Sequence, residues 1–238
     1  MVEAVLLRSP LGEWAERFAA VPAAIAVAEK PFQTMVTLRV RPGAPSAAVA
    51  RALGFVLPQA PSPHTASGDG NGNGNGNGNG DGNGDGDGSR DRALWLAPDE
   101  FLITSETRPS ATLVALLQGA LGSTEHGAAV DVSAQYTTVT LRGTETRDLL
   151  AGGCSFDLSA EQAPTGTSVH TPLAQASVII IVTDAAAGSF ELIVRSSFAR
   201  YLAAWLISAA QEYTAPEYAA QEYAAPEYPQ HDPISEIA

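Results

Sequence analysis

The polar residues of this sequence that could do chemistry fall into a few local groups. Asp131 and Ser133 stand one residue apart after an apolar run, so their side chains share one side of an extended backbone and could face a ligand or a partner. We interpret the pair as a hydrogen bond within a loop, which short polar side chains commonly form. Asp99 and Glu100 are adjacent and point to opposite sides of an extended segment, so we expect turn or capping groups and no acid–base pair.

The cysteine and the histidines do not form a catalytic or metal-binding motif. Cys154 is the only cysteine, so no intrachain disulfide is possible. It has no neighbouring histidine to hold it as a thiolate nucleophile, and we interpret it as a buried structural thiol. The histidines lie far apart, and none stands at i, i+4 spacing from another metal ligand. They are His64, His126, His170 and His231. We therefore predict no metal site.

The glycines do not form a phosphate-binding loop either. Gly143 and the pair Gly152-Gly153 match neither G-x-G-x-x-G nor the Walker spacing. The alternation of Asp or Asn with Gly from Asp69 to Gly88 matches such patterns only through its composition, and it lacks the terminal Glu of a calcium loop. Because this tract offers no apolar side chain to bury, we predict a disordered linker over residues 60–91.

The acidic charge of the chain is concentrated in two segments. Of the formal net charge of −13, about −3 lies in residues 69–92 and −6 in residues 211–238, which leaves about −4 for the rest. Nucleic acids require clustered basic residues and anionic membranes repel acidic surfaces, so we predict neither partner. The longest apolar run, 176–182, is far shorter than the ~20 residues of a membrane span. The first eight residues lack the pattern of a signal peptide, and we expect a cytoplasmic protein.

Hydrophobic periodicity predicts the elements that must position these groups. A first series, in the order β-α-β-β-α-β, covers 34–40, 45–53, 93–96, 101–104, 111–121 and 128–132. Ser46 and Ser110 are expected to cap its two helices. A second series of strand, helix, two strands and helix covers 136–141, 144–150, 174–182, 189–194 and 198–210. The predicted fold class is α+β, with tandem split-βαβ, ferredoxin-like units at 1–133 and 134–210 and mixed or antiparallel sheets.

The C-terminal residues 211–238 repeat Glu-Tyr units separated by Ala, Gln and Pro. Prolines at ten-residue intervals interrupt any long helix, so we predict a disordered tail. The regularly spaced tyrosines are either docking anchors or the product of repeat expansion. They are Tyr213, Tyr218, Tyr223 and Tyr228.

Particular strings are more informative than composition. The most specific are Trp95-Leu96-Ala97-Pro98-Asp99-Glu100, Cys154-Ser155-Phe156-Asp157-Leu158 and Arg195-Ser196-Ser197-Phe198-Ala199. Arg8-Ser9-Pro10-Leu11 and Pro31-Phe32-Gln33 precede them. In this order the strings resemble the sarcosine oxidase gamma subunit family, and the resemblance covers most of Ser9 to Glu212. The sequence departs from the family's pattern at Ala97, where a glycine is common, and in its Asn/Gly insert and repetitive tail.

The resemblance implies a fold similar to the aminomethyltransferase-like, folate-binding superfamily. It also implies an accessory subunit without a catalytic residue or cofactor of its own, assembled with alpha, beta and delta subunits. In that family the complex oxidises sarcosine with oxygen to glycine, hydrogen peroxide and 5,10-methylenetetrahydrofolate. FAD, FMN, NAD and tetrahydrofolate are then expected in the partner subunits.

An accessory subunit needs an apolar surface for its larger partners. The aromatic candidates for this surface, each of which could instead be a core residue, are Trp95, Phe101, Phe198, Tyr201 and Trp205. A rival hypothesis is a stand-alone folate-binding aminomethyltransferase, whose pocket would need a carboxylate such as Asp131 or Asp157. A third is a regulatory binding module that recruits a partner through its tail.

Overall fold

The computed structural model describes residues 8–63, 65–66, 90–122 and 127–213. The predictions of a disordered Asn/Gly tract and a disordered repeat tail fall on residues outside these ranges. In the described residues the helices are α1 Ala15–Ala19, α2 Ala44–Leu53, α3 Ser110–Leu121, α4 Thr146–Ala151 and α5 Ser196–Ala210. The strands are β1 Ala26–Lys30, β2 Thr34–Arg39, β3 Ser62–Pro63, β4 Thr65–Ala66, β5 Asp91–Ala97, β6 Glu100–Ser105, β7 Ala128–Asp131, β8 Tyr136–Arg142, β9 Thr167–Leu173, β10 Ala176–Asp184 and β11 Ser189–Arg195.

These strands form two antiparallel sheets. The six-stranded sheet has the order β1-β8-β11-β10-β9-β3, and the five-stranded sheet has the order β4-β5-β6-β2-β7. Tight connections join β5 to β6 and β10 to β11, as expected for antiparallel neighbours. The predicted α+β class with antiparallel sheets is confirmed.

Alternation along the strands divides the apolar residues among three cores. On β11, Phe190, Leu192 and Val194 face α1, α4 and α5, whereas Ile193 points the other way. On β6, Phe101 and Ile103 likewise face α2 and α3, whereas Leu102 points away from them. The third core, the intersheet core, joins the two sheets. It consists of Met35, Leu94, Leu102, Val132, Ile179, Ile181 and Ile193. The two sheets therefore pack face to face, with helices outside each.

Five elements are absent from the expectations: α1, β1, β3, β4 and β9. β1 pairs with β8, with Ala26 opposite Arg142 and Lys30 opposite Thr138, so it belongs to the six-stranded sheet. The predicted first unit, 1–133, includes residues 26–30 by their position in the sequence. The local sequence of a five-residue strand does not indicate a partner more than one hundred residues away. The division into units at 133 and 134 stays a prediction.

The two predicted serine caps are wrong. The residue that precedes α2 is Gly43, and the Ser46 hydroxyl donates to the Gly43 carbonyl at 2.9 Å. The residue that precedes α3 is Pro109, while Ser110 is the first helical residue and its side chain bonds with Asp131. Both helices begin earlier than predicted, so each serine lies inside the first turn, where it cannot act as the cap.

Candidate functional site

A group of charged side chains lies between the two sheets. Glu191 alternates with the helix-facing residues of β11, so its side chain points toward the second sheet, and the residue is only 8% exposed. Its Oε1 accepts from Lys30 Nζ on β1 at 3.0 Å, and its Oε2 accepts from Arg92 Nη1 on β5 at 2.7 Å. Because Lys30 and Arg92 belong to different sheets, the Glu191 carboxylate connects the two.

The group extends to the surface through Lys30. Lys30 Nζ also donates to Glu106 just after β6, and Arg90 Nη1 donates to the other oxygen of Glu106 at 3.3 Å. We call Lys30, Arg90, Arg92, Glu106 and Glu191 the ion network. It holds three cations and two carboxylates, so its formal charge is positive in an acidic chain.

The ion network lowers the pKa of both carboxyls. Burial opposes ionisation of Glu191, but the charges and hydrogen bonds of Arg92 and Lys30 outweigh it and lower its pKa. Burial of Glu106 is likewise outweighed by Lys30 and by the hydrogen bond from Arg90, so the pKa of Glu106 is lowered. Carboxylates of lowered pKa are weak proton acceptors near neutral pH. The arrangement suits a structural clamp between the sheets and gives no general base.

Asp131 and Ser133 form the expected loop hydrogen bond. The Ser133 amide donates to Asp131 Oδ1 at 2.9 Å and its hydroxyl lies 2.6 Å from the same oxygen. The Ser133 oxygen in turn accepts from the Met35 amide at 2.9 Å, which ties the loop to β2. Burial of Asp131 is outweighed by the Ser133 bonds and by the Ser110 hydroxyl, so its pKa is lowered. This carboxylate is held inside its own loop.

Asp99 and Glu100 meet the same cation, contrary to the expectation that they point apart. Arg39 Nε lies 3.5 Å from Asp99 Oδ2, and Arg39 Nη2 lies 3.9 Å from Glu100 Oε2. Asp99 lies in the turn between β5 and β6, where the alternation of an extended strand does not apply, and Glu100 is the register partner of Arg39. Both carboxylates are partly exposed ion-pair partners where β2 ends and β6 begins.

The remaining candidates for chemistry, Cys154, His170 and Asp157, contact polar groups of the chain itself. Cys154, predicted to be a buried structural thiol, is half-buried against the core of the six-stranded sheet, and its Sγ lies 3.8 Å from the Thr171 hydroxyl. His170 Nε2 lies 2.9 Å from the Ser177 hydroxyl on the neighbouring strand, and the other three histidines lie outside the described residues. Asp157 Oδ1 accepts from a backbone amide two residues on, at 2.8 Å. Within the described ranges, no three His, Cys, Asp or Glu side chains group as metal ligands.

A shallow, apolar groove of about 400 Å³ lies between α1 and α5. Arg17 is the only charged residue of its lining, and its guanidinium lies 4.7 Å from the centre of the Trp14 ring. No carboxylate lines the groove. It therefore lacks the paired acid and base of a hydrolytic or transfer site.

The aromatic candidates separate into core and surface residues. Phe101 is 4% exposed and belongs to the core under α2 and α3. Trp95 and Trp205 are partly buried, and Trp205 packs closely over Gly153. Phe198 and Tyr201 are 45% and 38% exposed. Three residues apart on α5, they share one side of the helix, and we call this pair the exposed aromatic face.

Two features escaped the sequence analysis. The sequence did contain an indication of the role of Glu191, which is the single acidic residue of the apolar strand Phe190-Glu191-Leu192-Ile193. If both faces of such a strand are covered, a buried carboxylate requires a cationic or hydrogen-bonding partner. Phe32 is 60% exposed at the crossover between β1 and β2, and its only signal was the string Pro31-Phe32-Gln33. Neither the ion-pair partners nor this exposure could be read from local sequence.

The fold of the chain is similar to that of an aminomethyltransferase. The glycine cleavage system aminomethyltransferase T from Bartonella henselae matches with a TM-score of 0.54 at 14% identity, over 84% of this chain and 50% of that one. At this identity the likeness concerns the fold alone. No described helix is long and apolar enough to cross a membrane; the longest, α5, has 15 residues.

Sequence relatives define the family. Residues 86–212 match the model of the sarcosine oxidase, gamma subunit family. Sarcosine oxidase subunit gamma of Corynebacterium sp. strain U-96 is 32% identical over 217 residues, which is 89% of this chain and 94% of that protein. The solved heterotetrameric sarcosine oxidase of the same strain, in complex with pyrrole 2-carboxylate, matches with a TM-score of 0.72 at 32% identity, over 88% of this chain and 97% of that one. The chain belongs to the sarcosine oxidase gamma subunit family, and the resemblance in its sequence is confirmed.

Proposed function

We propose that this chain is the accessory, non-catalytic gamma subunit of a heterotetrameric sarcosine oxidase. The observation that carries the proposal is the match to a chain of the heterotetrameric enzyme over 97% of that chain, with a TM-score of 0.72. Correspondence along the whole length supports an equivalent surface as well as an equivalent core. Alpha, beta and delta subunits are the proposed partners, and the cytoplasm is the proposed location.

The proposed complex couples oxidation to one-carbon transfer. Sarcosine, dioxygen and tetrahydrofolate give glycine, hydrogen peroxide and 5,10-methylenetetrahydrofolate, so two electrons pass from the N-methyl amine to oxygen and the methyl carbon passes to folate. FAD, FMN, NAD and tetrahydrofolate are proposed to bind the alpha and beta subunits. This chain contributes packing surface and no reacting group.

The chemistry of the described carboxylates supports the accessory role. Asp131, Glu106 and Glu191 have lowered pKa values and lie in hydrogen bonds or ion pairs within the chain. Asp157 is engaged by a backbone amide. A transferase would need a carboxylate free to meet an amine or a folate nitrogen in a pocket.

The exposed aromatic face is the proposed contact with a larger subunit. Phe198 and Tyr201 present apolar area on one side of α5, and aromatic residues are enriched in interface cores. The Tyr201 hydroxyl accepts from the Gln175 amide at 3.2 Å, which fixes its ring in advance of binding. Of the other candidates, Trp95 and Trp205 have part of their surface available, whereas Phe101 has almost none.

The rival function is a stand-alone folate-binding aminomethyltransferase. The shared fold is the observation in its favour, but the chain spans only 50% of the length of the aminomethyltransferase T chain. Neither of the carboxylates suggested for its pocket faces the apolar groove between α1 and α5.

Co-expression tests the proposal. The tagged full-length chain is expressed with the alpha, beta and delta subunits of its host, purified through the tag, and assayed for flavin absorbance and for peroxide release from sarcosine. We expect a stoichiometric, yellow, active complex, and a colourless, inactive chain when it is expressed alone. A chain that binds tetrahydrofolate alone and recovers no partner would favour the transferase.

A truncation distinguishes assembly through the folded part of the chain from partner recruitment through the tail. Deletion of residues 214–238 keeps every described residue and should leave recovery of the partners unchanged. Recovery that depends on the tail would favour the regulatory binding module. The double substitution of Phe198 and Tyr201 by alanine should reduce recovery instead.

A further inference from the structure

Phe32 has an unusual backbone and an unusual exposure. It is 60% exposed, and its φ of 58° lies in the left-handed region, which residues with a Cβ rarely adopt. The other described non-glycine residues with positive φ are Ser62 and Ala174, neither of which carries a large apolar side chain. Phe32 therefore combines backbone strain with an aromatic ring in solvent.

The segments on both sides of Phe32 are firmly held. Lys30 before it bonds with Glu106 and Glu191 of the ion network. Gln33 after it is buried, and its Oε1 accepts from the Thr138 hydroxyl at 3.0 Å. Pro31 between them has a restricted φ and no amide to donate. Because β1 and β2 belong to different sheets, the crossover is fixed at each end and the ring of Phe32 is presented at a set position.

The cores formed by the described residues do not account for a phenylalanine at this position. Phe32 is not among the buried or partly buried residues of any of the three cores. A glycine would adopt the same φ without strain and would leave no apolar ring in water. Strained conformations persist where the surroundings impose them and concentrate at functional sites. The three cores of the described residues therefore give no packing reason for an aromatic ring here.

We propose that Phe32 is an anchor residue that inserts into an apolar, phenyl-sized pocket of a larger subunit. This inference rests on the proposed function, since it requires that the chain assembles with such a subunit. Aromatic anchors in desolvated pockets dominate many interfaces, and a side chain fixed before binding loses little conformational entropy on docking. The crossover between the sheets would thus form a second contact, separate from the exposed aromatic face.

A competition experiment tests this role. Wild-type chain and a Phe32→Gly variant, carrying different tags, are co-expressed in equal amounts with alpha, beta and delta subunits, and their ratio in the purified complex is measured. The urea midpoint of each full-length chain is measured separately. Val56→Ala, which also removes an exposed apolar side chain from a loop, is the matched control.

We expect the glycine variant to be as stable as the wild type or more stable, because its backbone strain is relieved, yet to be incorporated at least about 10-fold less. The Val56→Ala variant should be incorporated equally with the wild type. Equal incorporation of Phe32→Gly would overturn the anchor. So would a lowered urea midpoint matched by lowered incorporation, since the ring would then serve the fold. A wild-type chain that recovers no partner would overturn the proposed function, and the anchor with it.

Discussion

Replacing Glu191 by glutamine tests the ion network most directly, because the change keeps the shape of the side chain and removes its charge. Lys30 and Arg92 would then keep their charges in the layer between the sheets, where Arg92 loses its carboxylate partner and Lys30 loses one of its two. Removing one member of a fully buried ion pair destabilises a protein by about 3–5 kcal/mol.

The destabilisation expected for Glu191→Gln is smaller than that of a fully buried pair. The Lys30 and Arg92 side chains are 28% and 21% exposed, and Lys30 retains Glu106, so water and the second carboxylate compensate part of the loss. We expect Glu191→Gln to lower the free energy of unfolding by about 2–3 kcal/mol. With a urea slope of about 2 kcal/mol per M, the midpoint falls by about 1 M. The assay is urea unfolding at pH 7, followed by circular dichroism.

Two comparisons make the result decisive. Glu106→Gln removes a more exposed member of the same network and should lower stability by no more than about 1 kcal/mol. The pKa of Glu191 is lowered from 4.5 in the folded chain, so its stabilisation is present in full above 4.5 and is lost as the pH falls through the lowered value. The difference between wild type and Glu191→Gln should therefore shrink as the pH falls below 4.5 and through the lowered pKa. Equal effects of the two substitutions, or a difference independent of pH, would refute the reasoning.

The remaining predictions concern packing and the loop after β7. A Cβ on Gly153 would lie 2.5 Å from the Trp205 ring, so Gly153→Ala should lower the free energy of unfolding by about 1–3 kcal/mol in urea unfolding. The matched change Gly119→Ala meets open space within α3 and should raise it by about 0.5–1 kcal/mol; a loss as large as that of Gly153→Ala would contradict the packing argument. Ser133→Ala removes the hydroxyl hydrogen bond to Asp131 and keeps the one from the backbone amide, so an NMR titration should find the pKa of this carboxyl raised toward its ordinary value. An unchanged Asp131 pKa would show that the Ser133 hydroxyl does not hold the carboxylate.

Much of the secondary structure follows from local sequence. The strand 189–194 and the helix 198–210 were predicted within two residues of β11 and α5, because period-2 and period-3.6 patterns reflect which faces are buried. The caps failed because the start of a helix depends on backbone geometry at Gly43 and Pro109, which residue preference alone does not determine.

The sequence by itself determined the α+β class, most helices and strands, and through its family strings the family of the chain. The tertiary structure decided the placement of β1 and the composition of the ion network, whose members Lys30 and Glu191 are 161 residues apart. It also decided the left-handed conformation of Phe32, because the crossover must pass from one sheet to the other there. Local preference acts over a few residues, whereas strand pairing, buried charge and crossover geometry depend on contacts that exist only after the two sheets have packed.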